Sequence, residues 1–410
     1  MGEHIGSIIE LTVSTIAHGG IGVGRLDGRV VFVSDAIPGE TVRARVSDDR
    51  KKSFWRADAI EVLQPSEHRR DHVWSAAAID RDPRGRAGGA EFGHIALAHQ
   101  RELKRQVLAE SLQRMAGIES DVVVEPLPGD PAVNGLGWRT RIRLHVDDQG
   151  RLGPMASRSH SVIPVQDVPL ATAAVQAATP FAERFVGLGT LDVIAPTTSD
   201  PRLVIGEQKP TVIRELVGER EFQLDDTGFW QVHRAAPVAL TRAVQEAIDP
   251  ALFDPRAENL DLYGGVGLLA AAVADRFGAE TRITSVESDE RATDHASENL
   301  AEWLGASAET GRVDRWLRDL DAGASAADRE RLAAATIVLD PPRSGAGSDV
   351  MTVLGRLAPA QLVYVACDPV ALARDVALAA EAGYRLARIR AFDLFPHTHH
   401  VEAVATLIRG

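Results

Sequence analysis

The chain has 410 residues, enough for two or three domains, with 45% hydrophobic and 25% charged residues and a formal net charge of -13. That acidity argues against a protein that coats nucleic acid by bulk electrostatics, and it restricts any such contact to local clusters of Lys and Arg. A single cysteine, Cys367, excludes an internal disulfide and any metal or cluster site built from several thiolates. With no apolar run of membrane-spanning length and no signal-peptide profile at the start, a soluble cytoplasmic protein is expected.

In chain order, the first elements are short strands separated by Gly, Asp and Pro turn signals: "SIIELTVSTIA", "GVGRLDGRVVFVS", "ETVRARVSDD" and "FWRADAIEVL". Their spacing predicts a small closed β-barrel over residues 1–64. The stretches "AHGGIGVGRLDGRVVFV" and "AIPGETVRARV" resemble the TRAM domain, a small RNA-binding barrel appended to RNA-modifying enzymes, with the resemblance running from Gly6 to Leu63. Arg25, Arg43, Arg45, Lys51, Lys52 and Arg56 offer backbone contacts there, nearly balanced by acidic residues.

Residues 65–225 read as a middle α+β domain. It begins with a polar, Gly-rich stretch and an amphipathic helix on which Leu97, Leu103, Val107, Leu108, Leu112 and Met115 recur near helical spacing. In "GWRTRIRLHV" the residues Arg139, Arg141 and Arg143 alternate with Thr140, Ile142 and Leu144, so a strand would turn all three guanidinium groups to one face. With Arg151, Arg158 and His160 soon after, that face is a candidate RNA-backbone contact; an ordinary solvated strand face is the alternative.

Residues 226–410 alternate helices with short apolar runs, the signature of a mostly parallel, doubly wound α/β sheet whose ligands bind beyond the carboxyl ends of the strands. In "NLDLYGGVGLLAAAVADRF", Gly264, Gly265 and Gly267 stand between a strand and a helix, where a tight turn lets backbone N–H groups approach a ligand. Glu287 ends the next strand, at the separation where a carboxylate accepts hydrogen bonds from both ribose hydroxyls. Together these predict a nucleoside cofactor without naming it. The segment Gly265-Val266-Gly267-Leu268-Leu269-Ala270 formally fits a dinucleotide fingerprint, so NAD stays open at this point, as does a ligand-free turn.

Further strand ends carry the candidate chemistry. Asp340 lies at the tip of a fourth strand in "ATIVLDPPRSG", frozen against two prolines, with Arg343 where amine-directed methyltransferases usually have an aromatic residue. In "LVYVACDPVALARDV", Cys367 precedes Asp368, a candidate helix cap, and Pro369, suited to the first helical position. The helix N-terminus is expected to favour the thiolate, with Asp368 partly opposing it; a small buried packing thiol is the alternative. "AFDLFPHTHHVEAVATLI" adds His397, His399, His400 and Glu402. Those histidines are too close in sequence for three to converge on a metal, so no metal is expected, and Glu402 reads as a base. A thiol nucleophile, a carboxylate base and a nucleoside cofactor fit C5 methylation of uracil: thiolate addition at C6 makes C5 nucleophilic, and a base then removes the C5 proton.

At these residues the chain resembles the bacterial uracil-C5 RNA methyltransferase family, which makes 5-methyluridine in transfer or ribosomal RNA. The matching stretches are "GFWQVHRAAP", "LDLYGGVGLLA", "VESDERATDHASENL", "LDPPRSG", "YVACDPVALARDV" and "FPHTHHVE". The resemblance implies a Rossmann-like class I methyltransferase domain and S-adenosylmethionine as cofactor. It implies Cys367 as nucleophile and Glu402 as proton acceptor, with Gln231, Tyr263, Glu287 and Asp340 at the cofactor or target base. Gly265 and Gly267 are expected at the cofactor from the turn they make, and Arg139, Arg141, Arg143 and Arg343 are expected toward the RNA. Departures are Gly264 for a usual cysteine, Leu268 for an asparagine of some members, His233 for Asn and Asp368 for Asn. Ala90 stands where many members carry an iron-sulfur ligand, so no cluster is expected. The expected partner is RNA, with no DNA, no membrane and a monomeric chain. Cytosine-C5 methylation is an alternative, although "LDPPRSG" lacks that family's cysteine, and a non-catalytic RNA-binding or folding factor is another.

Overall fold

Alternating burial sets the N-terminal strands: β1 (Ile8–Ala17), β2 (Ile21–Leu26), β3 (Arg29–Ser34), β4 (Thr41–Asp48) and β5 (Phe54–Gln64) close into a barrel in the order β1-β2-β3-β5-β4. Leu11, Val13, Val31, Val33, Val42, Ala44 and Ala57 fill its interior. Closure leaves no free sheet edge. Asp27 and Gly28, both at positive φ, make the β2–β3 turn, as a tight hairpin requires. The computed structural model describes residues 4–157, 159–206 and 208–410. Arg158, named above as a basic candidate, lies outside the described residues.

Helix α1 (Leu97–Ala116) follows, ending on Gly117 at φ 68, then the short strand β6 (Val124–Pro126). The middle of the chain forms an antiparallel sheet from β7 (Arg141–Val146), β8 (Leu152–Gly153), β9 (Thr190–Ile194) and β10 (Arg202–Ile205), in the order β10-β9-β7-β8, with α2 (Ala173–Ala178) beside it. Strands β11 (Val212–Val217) and β12 (Arg220–Asp225) make a separate hairpin.

The C-terminal part runs α3 (Ala236–Ala247), β13 (Asn259–Leu262), α4 (Leu268–Phe277), β14 (Ile283–Glu287), α5 (Glu290–Asn299), β15 (Ala306–Thr310), α6 (Val313–Gly323) and α7 (Ala326–Ala333). It continues through β16 (Thr336–Leu339), α8 (Gly347–Leu357), β17 (Gln361–Ala366), α9 (Pro369–Glu381), β18 (Tyr384–Asp393) and β19 (Glu402–Arg409). One eight-stranded sheet orders them β15-β14-β13-β16-β17-β19-β18-β6. Strands β13 to β17 are parallel, and β19 enters antiparallel between β17 and β18. Every residue of β13, β16 and β17 is buried, as expected for strands covered on both faces by helices.

Two features differ from the sequence reading. Helix α1 and strand β6 fall within residues 65–225, yet β6 pairs in parallel with β18, and Leu108, Leu112, Val122 and Val124 share a core with Leu362, Tyr364 and Leu372. Periodicity shows that a helix has an apolar face but not which neighbour covers it. Met115, expected on that face, is 41% exposed in the last turn. No helix among the described residues is long and apolar enough to cross a membrane.

Candidate active site

Parallel strands ending side by side deliver their following loops to one rim of the sheet. Just past β13, Tyr263 adopts φ 63 and Gly265 φ 54, and a Cβ on Gly264 would collide with Ser285 Oγ. Asp261, fully buried, braces this loop: Oδ2 accepts from the Ala270 N–H (3.0 Å) and from Ser285 Oγ (3.3 Å). Burial pushes its carboxyl up to about 7, and the charges of Asp340 and Glu287 add to the effect. Glu287, at the end of β14, accepts from the Gly265 N–H (3.2 Å) and the Asp289 N–H (2.9 Å), so it joins the glycine turn to the start of α5.

Cys367 follows β17, and Asp368 caps α9, its Oδ1 accepting from the N–H groups of Val370 (3.0 Å) and Ala371 (2.8 Å). Asp340 follows β16, and Glu402 opens β19 and is 3% exposed. Lost hydration pushes Asp340 up to about 7 and Glu402 well above the ordinary carboxylate range, the Asp340 charge adding to the latter. The sequence reading expected the helix terminus to favour the Cys367 thiolate. Instead the thiol is pushed up to about 12 by burial and then by Glu402, Asp340 and Asp368, with Arg343 the opposing charge. Burial first, and the nearby carboxyl groups after it, outweigh the helix end and disfavour the thiolate.

The histidine loop is built from both ends of the chain. His397, at φ 65 and buried, takes Gln100 Oε1 on its N–H (2.8 Å), while its ring meets the Gln100 amide (3.0 Å) and the Asn134 carbonyl (2.7 Å). His399 lies 3.7 Å from Glu91, and His400 Nε2 is 3.4 Å from Arg343. No group of three His, Cys, Asp or Glu residues able to hold a metal occurs among the described residues. Ala90 is packed in an apolar cluster with Trp74, Ala76, Ala87 and Ala156.

A cleft of about 1450 Å³ collects these groups. Gln231, Tyr263, Gly265, Glu287, Asp340, Arg343, Cys367, Glu402 and Arg139 all line it. Gly267 sets the start of α4, at φ 86, without lining the cleft. The segment bearing Gln231 is held by its neighbours: the Val232 carbonyl accepts from the Thr140 N–H (2.8 Å), and His233 Nε2 meets buried Asp130 (2.9 Å) beneath the Trp138 ring.

The three arginines do not share one face. Arg139 precedes β7 and reaches the cleft. Arg141 is buried, bonded to the Gly228 carbonyl (3.0 Å) and paired with Glu215 (3.4 Å). Arg143 is exposed and holds Asp192 with two 2.7 Å bonds. Alternation does not carry all three to one exposed face, because β7 starts only at Arg141, and Glu215 of the hairpin strand β11 and the Gly228 carbonyl hold Arg141 in a buried position.

Sequence reasoning passed over Glu91, Phe229, Arg312 and Asp314, which also line the cleft. Arg312 and Asp314 follow β15, whose sequence "ASAET" has neither apolar alternation nor a buried run and so gave no strand signal. Phe229, 74% exposed beside Gln231, carried a clearer one, an aromatic side chain in a polar turn.

An adenosyl group suits this donor set, with an acidic side chain at the end of the second strand and a glycine turn at which Gly265 faces open space. Comparison with known proteins agrees. Residues 3–58 match the TRAM domain, and residues 242–410 match the tRNA (Uracil-5-)-methyltransferase family. An "Uncharacterized RNA methyltransferase" of Streptomyces avermitilis is 36% identical, covering 98% of this chain and 98% of that one. One from Bifidobacterium longum is 34% identical, covering 98% and 96%. The fold matches that of the Pyrococcus abyssi tRNA (uracil-54, C5)-methyltransferase, solved with S-adenosyl-L-homocysteine, at a TM-score of 0.69 and 22% identity over 98% of this chain and 100% of that one. The chain therefore belongs to the tRNA (uracil-5-)-methyltransferase family, with a TRAM domain at its N-terminus, and is an S-adenosylmethionine-dependent RNA uracil-C5 methyltransferase.

Proposed function

We propose that the enzyme methylates C5 of a uridine in transfer or ribosomal RNA through a covalent bond between Cys367 Sγ and C6 of the base. The observation that carries this reading is the meeting of Cys367, Glu402 and Asp340, from three different strand ends, in one cleft that also holds Glu287 and Gln231. S-adenosylmethionine supplies the methyl group as an electrophile, and Glu287, Gly265, Tyr263 and Gln231 would hold it. Cys367 loses its proton to water, and Arg343 is the cation placed to favour the thiolate. Sγ adds to C6, and the electrons of the C5–C6 double bond move toward O4, leaving C5 nucleophilic. Once C5 is methylated, ionised Glu402 takes the remaining C5 proton, the Sγ–C6 bond breaks, and the double bond re-forms. Asp340 stands beside Glu402 as a contact to the base or cofactor.

The target must leave its stack to enter the cleft, which favours loops over continuous helix. The barrel and middle sheet present the RNA, with Arg139 and exposed Arg143 as contacts. One chain supplies every group named here, which supports a monomeric enzyme. The test uses labelled methyl transfer to RNA lacking the modification: Cys367→Ala abolishes it, and full turnover by that variant would sink the covalent route. Glu402→Gln accumulates a protein-RNA adduct that survives denaturation; normal product release instead would remove Glu402 from the base role. Mapping 5-methyluridine in RNA from cells lacking the gene identifies the substrate, and an unchanged map in both RNA classes would refute the assignment.

A further inference from the structure

We propose that the barrel completes the catalytic site, with His18 on the β1–β2 turn acting as a positioning residue that holds Asp368, and through it the Cys367 loop and the start of α9. The proposal rests on the reading of Cys367 as the nucleophile. His18 Nε2 lies 3.2 Å from Asp368 Oδ2, while Oδ1 is committed to the N–H groups of Val370 and Ala371. Both oxygens of this carboxylate are thus engaged, one by the helix that begins just after the thiol and one by a domain some 350 residues earlier in the chain.

The turn is seated closely enough to act on the site. A Cβ on Gly20, which has φ 71, would lie 2.5 Å from His399 Cβ and 2.8 Å from the Phe92 ring, so only glycine allows the barrel this near. Ile16 and Ile37 of the barrel share a buried cluster with Phe92, Ile95 and Leu103, and the Phe92 N–H donates to the His397 carbonyl (2.9 Å). A second, smaller cleft of about 230 Å³ lies between the barrel turn and the catalytic loops, and it meets the large one at Cys367, Arg343 and His400.

The electrostatics give the contact a consequence. Around the Cys367 sulfur stand Asp340, Glu402 and Asp368, all opposing the thiolate, with Arg343 favouring it. An N–H donor on Asp368 Oδ2 draws off part of that carboxylate's charge beside the sulfur and fixes its rotamer.

Because Cys367 is the only cysteine, alkylation of the RNA-free enzyme by iodoacetamide reads this one sulfur. At fixed pH, His18→Ala is expected to slow alkylation about fivefold and lower kcat by a similar factor with RNA Kd unchanged, the size of a single exposed ion pair. His18→Gln, which keeps an N–H donor, recovers part of both. In an Asp368→Asn background the His18→Ala effect shrinks to less than about twofold, as a direct pair requires. Unchanged alkylation and kcat overturn the proposal, as does weakened RNA binding with alkylation unchanged, which would make His18 an RNA contact only. If Cys367→Ala retained full methyl transfer, the covalent reading would fall, whereas the alkylation series would still report whether His18 governs the sulfur.

Discussion

Around Cys367 the decisive physics is the placement of charge. In the proposed mechanism Glu402 acts as a base only when ionised, and burial holds its carboxyl high, so kcat should rise with pH along an acid limb whose midpoint lies well above the ordinary carboxylate range. A pH-rate profile checks this, and a midpoint near 4.5 would contradict it. Stability runs in the opposite direction. Asp261 binds its proton more tightly folded than unfolded, so its contribution is complete below the ordinary Asp range and is lost as pH rises through about 7. Asp261→Asn should flatten that decline, on the order of 4 kcal/mol between pH 4 and 8 in denaturant titrations. The arginines separate by partner: Arg141→Ala leaves Glu215 buried and unpaired, so it costs about 3 kcal/mol of stability without changing the RNA contacts of the folded enzyme. Their spacing was legible in the sequence, whereas the carboxylates that claim two of them, Glu215 and Asp192, were not.

At the scale of elements, α1 shows how a helix can be read correctly and still surprise. Leu103, Leu108 and Leu112 are buried as their periodicity predicts, but Gln100 and Lys104 lie on the same buried face. Lys104 Nζ meets Asp393 Oδ1 (2.6 Å) and the Phe395 carbonyl (3.0 Å), with neither side chain more than 1% exposed, so it ties α1 to the end of β18 and to the histidine loop. Burial pushes the ammonium down, and Asp393 pulls it back up. Lys104→Met keeps the volume and strands a buried carboxylate, so it should lower stability by about 3–5 kcal/mol in chemical denaturation. The double variant Lys104→Met, Asp393→Leu should recover most of that loss, since a matched apolar pair leaves no unpaired charge. Polar residues within an apolar stripe read as solvent-facing until their partners, nearly 300 residues away, are seen.

For the whole molecule, the C-terminal sheet is not closed by the C-terminal residues alone. Strand β6 extends its edge beside β18, and α1 packs on α9, so an expressed fragment of residues 226–410 would expose the core surface that Leu108, Leu112 and Val124 cover. Such a fragment should show no cooperative melting transition and should aggregate, while one starting at residue 97 keeps its edge strand and helix; equal stability of the two would refute this. What the sequence by itself determined was everything carried by short contiguous segments: the barrel strands, the parallel sheet, the glycine turn, the Asp368 cap and the strand ends at which Asp340, Cys367 and Glu402 stand. Their geometry depends on backbone preferences and caps that act within a few residues, and these are written locally. Only the tertiary structure decided that the surroundings of the thiol disfavour the thiolate, that the arginines part company, and that the barrel turn rests on the loop beside Cys367. Those outcomes depend on desolvation and on charges brought together from distant strands, and neither quantity exists until the chain has folded.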